Sequence, residues 1–382
     1  MTNSLLPIAI DYTAAYEQGG GIGRYVRELI RALAALDSST QYRLFVAGAT
    51  PNRLPALPGA NFTWKPVPLN SHWLARLWHR TNIPIPVEWV TGRVSLYHSP
   101  DFVLPPTLPS TRTLLTVHDL SFVRAPETAS PPLKAYLDVV VPRSVRRAQH
   151  ILADSQATKD DLVELYGTPA EKITVLLSGV DSRFAPITDS QARAAVRRKY
   201  KISDRPYIFA VGTVQPRKNY ARLIQALARV RARGIDVSLV IAGGKGWLDD
   251  PIYATIHSES MTDFVHMIGF ADDADLPALY SEAACVATPS IYEGFGLPVL
   301  EAFACGTPVV TSNVSSLPEV AGDAALLISP TDVDALAHAL ERLLTDSALR
   351  TDLISKGKAR ANQFTWEASA RHLRQIYSML LA

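Results

Sequence analysis

Short β-branched apolar runs alternate along the chain with longer stretches whose apolar residues recur every three or four positions. That alternation predicts strands joined by crossover helices, and hence parallel sheets. In the first half, PIAIDYT, YRLFVAG, TLLTVHDL and HILADS read as strands, with the helix IGRYVRELIRALAAL after the first; SQATKDDLVELYG is helical and KITVLLSGV extended. A turn-rich stretch, SGVDSRFAPITDS, then interrupts the pattern, and the domain boundary is placed there. A second series follows: YIFAVGT, VSLVIAGG, VHMIGF, ACVATPS, TPVVTSN and AALLIS, separated by amphipathic helices such as NYARLIQALARVRARG. From Asp332 to about Asn362 the spacing is helical, and FTWEASARHLRQIYSML continues it as a second piece. The pattern therefore predicts two Rossmann-like, doubly wound α/β domains, residues 1–184 and 185–364, facing a cleft at the carboxyl ends of their strands. Residues 61–90, dense in Trp and Pro, fit no period and read as irregular core cover or a binding surface.

Composition narrows the class. A chain of 382 residues exceeds what one core usually organises, and 47% hydrophobic with 19% charged residues describes a packed protein. The net charge of +2 gives no basic field on the scale that nucleic acid requires, so no nucleic-acid partner is expected. No uncharged apolar run reaches the roughly 18 residues of a membrane span, and MTNSLLPIAIDYT lacks the basic start of a signal peptide. Cys285 and Cys305 have neither metal-ligand spacing nor a disulfide framework, and read as packing residues in a reducing cytoplasm.

Three clusters carry candidate chemistry. Gly19-Gly20-Gly21-Ile22-Gly23-Arg24-Tyr25 opens the first long helix, where backbone N–H groups favour an anion, or it is a flexible connection. It is not a dinucleotide fingerprint, because Arg24 stands where the last glycine would be. In VGTVQPRKNY, Arg217 and Lys218 follow a strand and could neutralise a diphosphate without a metal, or form a solvated basic turn. In SIYEGFGLPVLEA, glycines 294 and 296 let a ligand approach the backbone, and Pro298 suits the first turn of the helix that follows. Glu293 and Glu301 could accept sugar hydroxyls; alternatively Glu301 only favours the N-terminal end of its helix dipole. Ser316 and Glu319 read as a capping box for the next helix.

The spacing of Glu293 and Glu301 within EGFGLPVLEAFACGTPVV resembles the signature of family 4 glycosyltransferases, retaining enzymes with the GT-B fold. GGIGRY, TVHDL, ADSQATKDDL, SGVDSRF, VGTVQPRKN and SSLPEVAGDAALLISP extend the likeness over nearly the whole chain. The wording of PDFVLPP, VHDLSFVRAPE and VGTVQPRKN is most similar to bacterial mannosyltransferases of polysaccharide and O-antigen assembly. The resemblance implies that Gly21 offers its backbone to the donor, that His118 lines the sugar site with Asp119 behind it, and that Arg217 and Lys218 hold the diphosphate. It assigns the sugar hydroxyls to Glu293, the ribose to Glu301, and the nucleobase to Gly269, Phe270 and Ala271, with Asp273 at the base edge. Gly212, Thr213, Gly294, Phe295, Gly296 and Leu297 complete the donor surface. Thr213 stands where many members carry an Arg, which makes Arg217 the candidate for the first phosphate cation, and Ser178 stands where an Asn is common. The final helix, from about 365, is expected to cross back to the N-terminal domain, with Trp366 packing at the crossing.

The implied chemistry is front-face transfer. The leaving diphosphate accepts the acceptor's proton while cations stabilise its charge, and the anomeric configuration is retained. No Asp-x-Asp metal motif stands in these segments, so neither metal nor cofactor is expected and the nucleotide sugar, GDP-mannose by the mannosyltransferase likeness, is a co-substrate. The acceptor is expected to be a glycan or lipid-linked saccharide, reached from the cytoplasm, where Arg143, Arg146 and Arg147 with the tryptophans of 73–89 could touch the inner membrane face. Competing readings are a GT-B sugar-nucleotide epimerase, a non-catalytic sugar-nucleotide-binding protein and an NAD-dependent oxidoreductase.

Overall fold

The computed structural model describes residues 6–80 and 84–382; the remainder of the irregular 61–90 stretch, residues 81–83, lies outside them. It divides into two compact units. One unit holds the chain up to Leu120, Ala135–Gly179 and Trp366–Ala382; the other holds Ser121–Lys134 and Val180–Thr365. The chain thus changes unit at Gly179/Val180, five residues before the boundary expected at 184/185, and the segment Ser121–Lys134 goes with the second unit. Within that unit the Trp247 indole N–H donates to the Thr128 carbonyl at 2.9 Å, which fixes the segment. The outgoing and returning backbones lie side by side, bridged Val180 to Thr365.

The first unit is a seven-stranded sheet: β1 (Ile8–Asp11), β2 (Tyr42–Ala47), β3 (Phe62–Val67), β4 (Leu96–Ser99), β5 (Arg112–Val117), β6 (His150–Ala153) and β7 (Ile173–Val175), in the order β3-β2-β1-β4-β5-β6-β7. Every pairing is parallel. Such strands are covered on both faces, which is why β1, β2, β5 and β6 consist mainly of buried Ile, Leu, Val and Ala. The helix Gly21–Leu36 buries Tyr25, Val26, Leu29, Ile30 and Leu33 against this sheet, and the terminal helix Trp366–Leu381 adds Trp366, Leu373, Ile376 and Tyr377 to the same core.

The second unit is a six-stranded parallel sheet of β8 (Tyr207–Val211), β9 (Ser238–Ala242), β10 (Val265–Gly269), β11 (Cys285–Thr288), β12 (Val309–Ser312) and β13 (Ala325–Ile328), in the order β10-β9-β8-β11-β12-β13. Its core runs from Ile208 and Leu239 through the helices Tyr220–Ala232 and Val333–Thr345. The helical spacing after Asp332 proves to be two helices, Val333–Thr345 and Ser347–Ala361. Asp346 ends one and, through its carboxylate accepting the Leu349 N–H, caps the other.

Sheet order fixes where a ligand is expected. In open α/β sheets the crevice opens beyond the carboxyl ends of the strands at which the order reverses. In the first unit that point lies between β1 and β4, and in the second between β8 and β11.

Candidate active site

In the second unit, the loop after β8 carries Arg217 and Lys218, and the loop after β11 carries Glu293. The two loops meet at the strand-order reversal. Lys218 Nζ donates to Glu293 Oε1 at 2.6 Å and Arg217 donates to Oε2 at 2.8 Å, while the Ser290 hydroxyl donates to Oε1 at 2.6 Å. Arg217 also holds the Tyr292 carbonyl at 2.8 Å, and the Ile291 N–H returns to the Arg217 carbonyl at 2.9 Å. Burial alone would raise the Glu293 carboxyl, which is only 7% exposed; Lys218 and Arg217, with the Lys218 and Ser290 hydrogen bonds, outweigh it and bring it down to about 2. Glu293 is therefore ionised, and the cluster of two cations and one carboxylate keeps a single net positive charge. The sequence reading kept cations and carboxylate in separate roles; the structure joins them.

Backbone geometry makes room for this. Gly212, at φ +142°, ends β8, and a Cβ there would come within 2.8 Å of Lys218 Cε, so only glycine lets the lysine stem pass. Thr213 beside it is exposed. Asn219 closes the loop by donating to the Pro289 and Pro330 carbonyls. The capping-box expectation for Ser316 and Glu319 is corrected: Ser316 makes no side-chain cap and instead donates to the Glu293 and Phe295 carbonyls at 2.9 and 2.7 Å. The Glu293 N–H in turn reaches the Ser315 hydroxyl at 2.9 Å. Two adjacent serines thus fix the loop that carries the carboxylate.

From that loop the helix Leu297–Ala304 begins, with buried Gly294 and Phe295 before it and Gly296 at its N-cap. Glu301, buried one turn inside, accepts the Tyr280 hydroxyl at 2.7 Å. After β10, Gly269 turns the chain, Ala271 is buried, and Phe270 is 62% exposed, unusual for a large aromatic. Asp273 lies 3.6 Å from Arg183. Its neighbours Asp272 and Asp275 both bind Lys199.

In the first unit, Gly21 is the first residue of its helix and exposed, and a Cβ there would meet nothing within 4 Å. Gly23 differs, since a Cβ would stand 2.1 Å from the Gln18 carbonyl oxygen. Packing thus demands the glycine at 23 and not the one at 21. His118 follows β5, buried, between the edges of Tyr25 and Phe102 with ring centroids at 5.1 and 5.3 Å. Trp366 stands 5.9 Å from Tyr25, so the returning helix buttresses the ring that packs on His118. Asp119 was expected behind the imidazole; the partner is Asp154, whose Oδ2 is 2.6 Å from Nδ1, while Nε2 faces the Pro100 carbonyl at 2.9 Å. Asp154 and Ser290 escaped sequence reasoning, although ADS and TPS stand at strand ends, where site residues collect, and Ser316 was read as a helix cap and not as a support of the Glu293 loop.

The fold and this cluster define a GT-B glycosyltransferase. A family model described as Glycosyltransferase Family 4 matches residues 19–184, and one described as Glycosyl transferases group 1 matches residues 192–360. The O-antigen chain mannosyltransferase B of Escherichia coli is 32% identical over 377 residues, covering 94% of this chain and 96% of the relative. The sucrose-phosphate synthase of Thermosynechococcus elongatus shares the fold with a TM-score of 0.76 at 23% identity, over 98% of this chain and 99% of that one. An Anabaena protein solved with UDP and glucose does so with a TM-score of 0.75 at 18% identity, over 98% and 100%. The chain belongs to family 4 of the glycosyltransferases.

Proposed function

We propose that the chain is a retaining hexosyltransferase that moves mannose from GDP-mannose to a glycan or lipid-linked saccharide. The observation that carries this reading is the Arg217–Lys218–Glu293 cluster at the strand-order reversal of the second sheet. Arg217 and Lys218 neutralise the diphosphate, and their charge grows in value as the leaving group gains charge in the transition state. Glu293 holds both cations in place. Of its roughly four acceptor positions three are engaged by Lys218, Ser290 and Arg217, so it keeps capacity for one sugar hydroxyl.

Gly294, Phe295, Gly296 and Leu297 present backbone at the start of their helix, where N–H groups suit an anion. Glu301 takes the ribose, and Gly269, Phe270, Ala271 and Asp273 the base. Gly212 and Thr213 line the diphosphate, and Gly21 and His118 keep the roles that the resemblance implies. Gly21 is a glycine that packing does not demand, as expected where a ligand approaches the backbone. The leaving diphosphate itself accepts the acceptor's proton, with no divalent ion and no cofactor. Mannose follows the name of the O-antigen mannosyltransferase relative, and guanine follows only the sequence resemblance to bacterial mannosyltransferases.

On the same reading the chain works in the cytoplasm, touching the inner face of the plasma membrane through the helix Pro131–Arg147. Leu133 and Val139 are exposed there beside exposed Arg143 and Arg146, and no helix among the described residues is long and apolar enough to cross a membrane. Thermal-shift screening tests the donor: at a hundred times its dissociation constant GDP-mannose adds about 2.7 kcal/mol, and stabilisation by no sugar nucleotide at all would contradict the reading.

A further inference from the structure

Strands β5 and β6 are adjacent and parallel, with Val117 opposite Ala153, so the next residues, His118 and Asp154, emerge side by side beyond their carboxyl ends. The two hydrogen bonds of the ring define its protonation. A carbonyl oxygen only accepts, so Nε2, 2.9 Å from the Pro100 carbonyl, carries a hydrogen. Nδ1, 2.6 Å from Asp154 Oδ2, then either donates to a carboxylate or accepts from a carboxylic acid.

The surroundings favour the first arrangement. Burial opposes a charged ring, yet the Asp154 charge and hydrogen bond, then Asp101 and the Pro100 carbonyl, outweigh it and carry the imidazole up to about 9. Asp101, in the same loop as Pro100, is lifted to about 6 by burial, with His118 opposing and Asp11 adding to the rise. Burial raises the Asp154 carboxyl and nearby Asp119 adds to the rise, while the His118 charge and hydrogen bond pull it back. His98, whose burial drives it down to about 3, is neutral and adds no competing cation. Tyr25 and Phe102 close the ring edges, and Thr158, donating to the His118 carbonyl at 3.1 Å, pins its backbone to the helix Gln156–Tyr166. The other Asp154 oxygen, Oδ1, is buried with no hydrogen-bond partner among the described residues, so the carboxylate serves the ring alone.

We propose that Asp154 is a positioning residue that keeps His118 doubly protonated, with Nδ1–H on Asp154 and Nε2–H on the Pro100 carbonyl, so that the ring stands at the sugar site as a fixed cation and not as a proton acceptor. The proposal rests on the reading of His118 as a residue of the sugar site. A ring that already holds both protons cannot take the acceptor's, which leaves that proton to the departing diphosphate.

Long-range ¹H–¹⁵N spectra of the histidine rings in the full chain, with His118 assigned by its loss in His118→Gln, test the proposal without any acceptor. At about pH 7 both ring nitrogens of His118 are expected to be protonated, and Asp154→Asn is expected to lower the ring's titration midpoint by at least about one pH unit. A neutral His118 ring in the wild-type chain, or an unmoved midpoint in the variant, overturns the proposal. GDP release from GDP-mannose by Asp154→Asn is expected to fall at least tenfold and to lose its plateau above about pH 7, with GDP affinity by calorimetry within threefold of wild type. Unchanged release overturns the positioning role. Unchanged release in His118→Gln instead overturns the underlying assignment of His118, whatever the state of its ring.

Discussion

Lys218 Nζ and Glu293 Oε1 lie 2.6 Å apart although 75 residues separate them in the chain. The contact exists because β8 and β11 are neighbours in the sheet. It joins the cation read as a phosphate ligand to the carboxylate read as a sugar ligand, so the two act as one unit.

The first prediction follows from that coupling. Lys218→Ala and Glu293→Ala should each lower GDP release from GDP-mannose by about two orders of magnitude. The double variant should lose little more than either single one, because each change already dismantles the shared cluster. Release rates of the three variants decide it; losses that multiply would mean that the two residues act separately.

Glu293 also makes stability depend on pH. Its folded carboxyl titrates at about 2 against an ordinary 4.5, a difference worth about 3 kcal/mol. Because the folded value is the lower one, this contribution is complete above about pH 4.5 and disappears as the pH falls through about 2. Glu293→Gln should therefore melt well below wild type near neutrality, and the gap should close as the pH falls below 4.5. Melting curves over that range check it, and a gap independent of pH would contradict it.

The glycines of the first helix separate packing from ligand approach. Gly23→Ala places a methyl group against the Gln18 carbonyl and should cost about 3 kcal/mol. Gly21→Ala meets nothing, and as alanine favours helix it should leave stability within about 1 kcal/mol of wild type while impairing donor binding. Denaturant unfolding paired with GDP-mannose calorimetry would show it. Unimpaired binding in Gly21→Ala would remove Gly21 from the donor site.

The proposed membrane contact reduces to a few testable side chains. Arg143, Arg146 and Arg147 are all exposed on the helix Pro131–Arg147, but Arg147 donates to the Leu104 and Pro105 carbonyls, so Arg143 and Arg146 are the pair to test. In the irregular segment Trp73 and Trp89 are 52% and 76% exposed, and so are not core cover. Arg143→Glu with Arg146→Glu should abolish sedimentation with anionic vesicles. Equal binding of wild type to neutral and anionic vesicles would end the proposal.

Both domains were legible because most of their strands are continuous apolar runs, and all six strands of the second sheet were read. The two strands that went unread broke that rule. β3, at the sheet edge, contains Lys65 and Pro66, which an edge tolerates and a pattern does not reveal. β4 is LYHS, in which His98 looks polar but is buried between Tyr377 and Thr116. The chemistry-bearing residues were legible by type and position, and their partners were not. Asp154 faces His118, and Ser316 holds the Glu293 loop, only because of strand neighbourhoods that no local pattern encodes.

The central claim is that Arg217 and Lys218, anchored by Glu293, bind the diphosphate of a guanosine donor without a divalent ion. Calorimetry with GDP and UDP, each with and without EDTA, tests it directly. GDP is expected to bind more tightly than UDP, with an affinity that EDTA leaves unchanged and that Lys218→Ala weakens at least tenfold. Binding that requires magnesium would contradict the role of the cations, and a clear preference for UDP would overturn the donor.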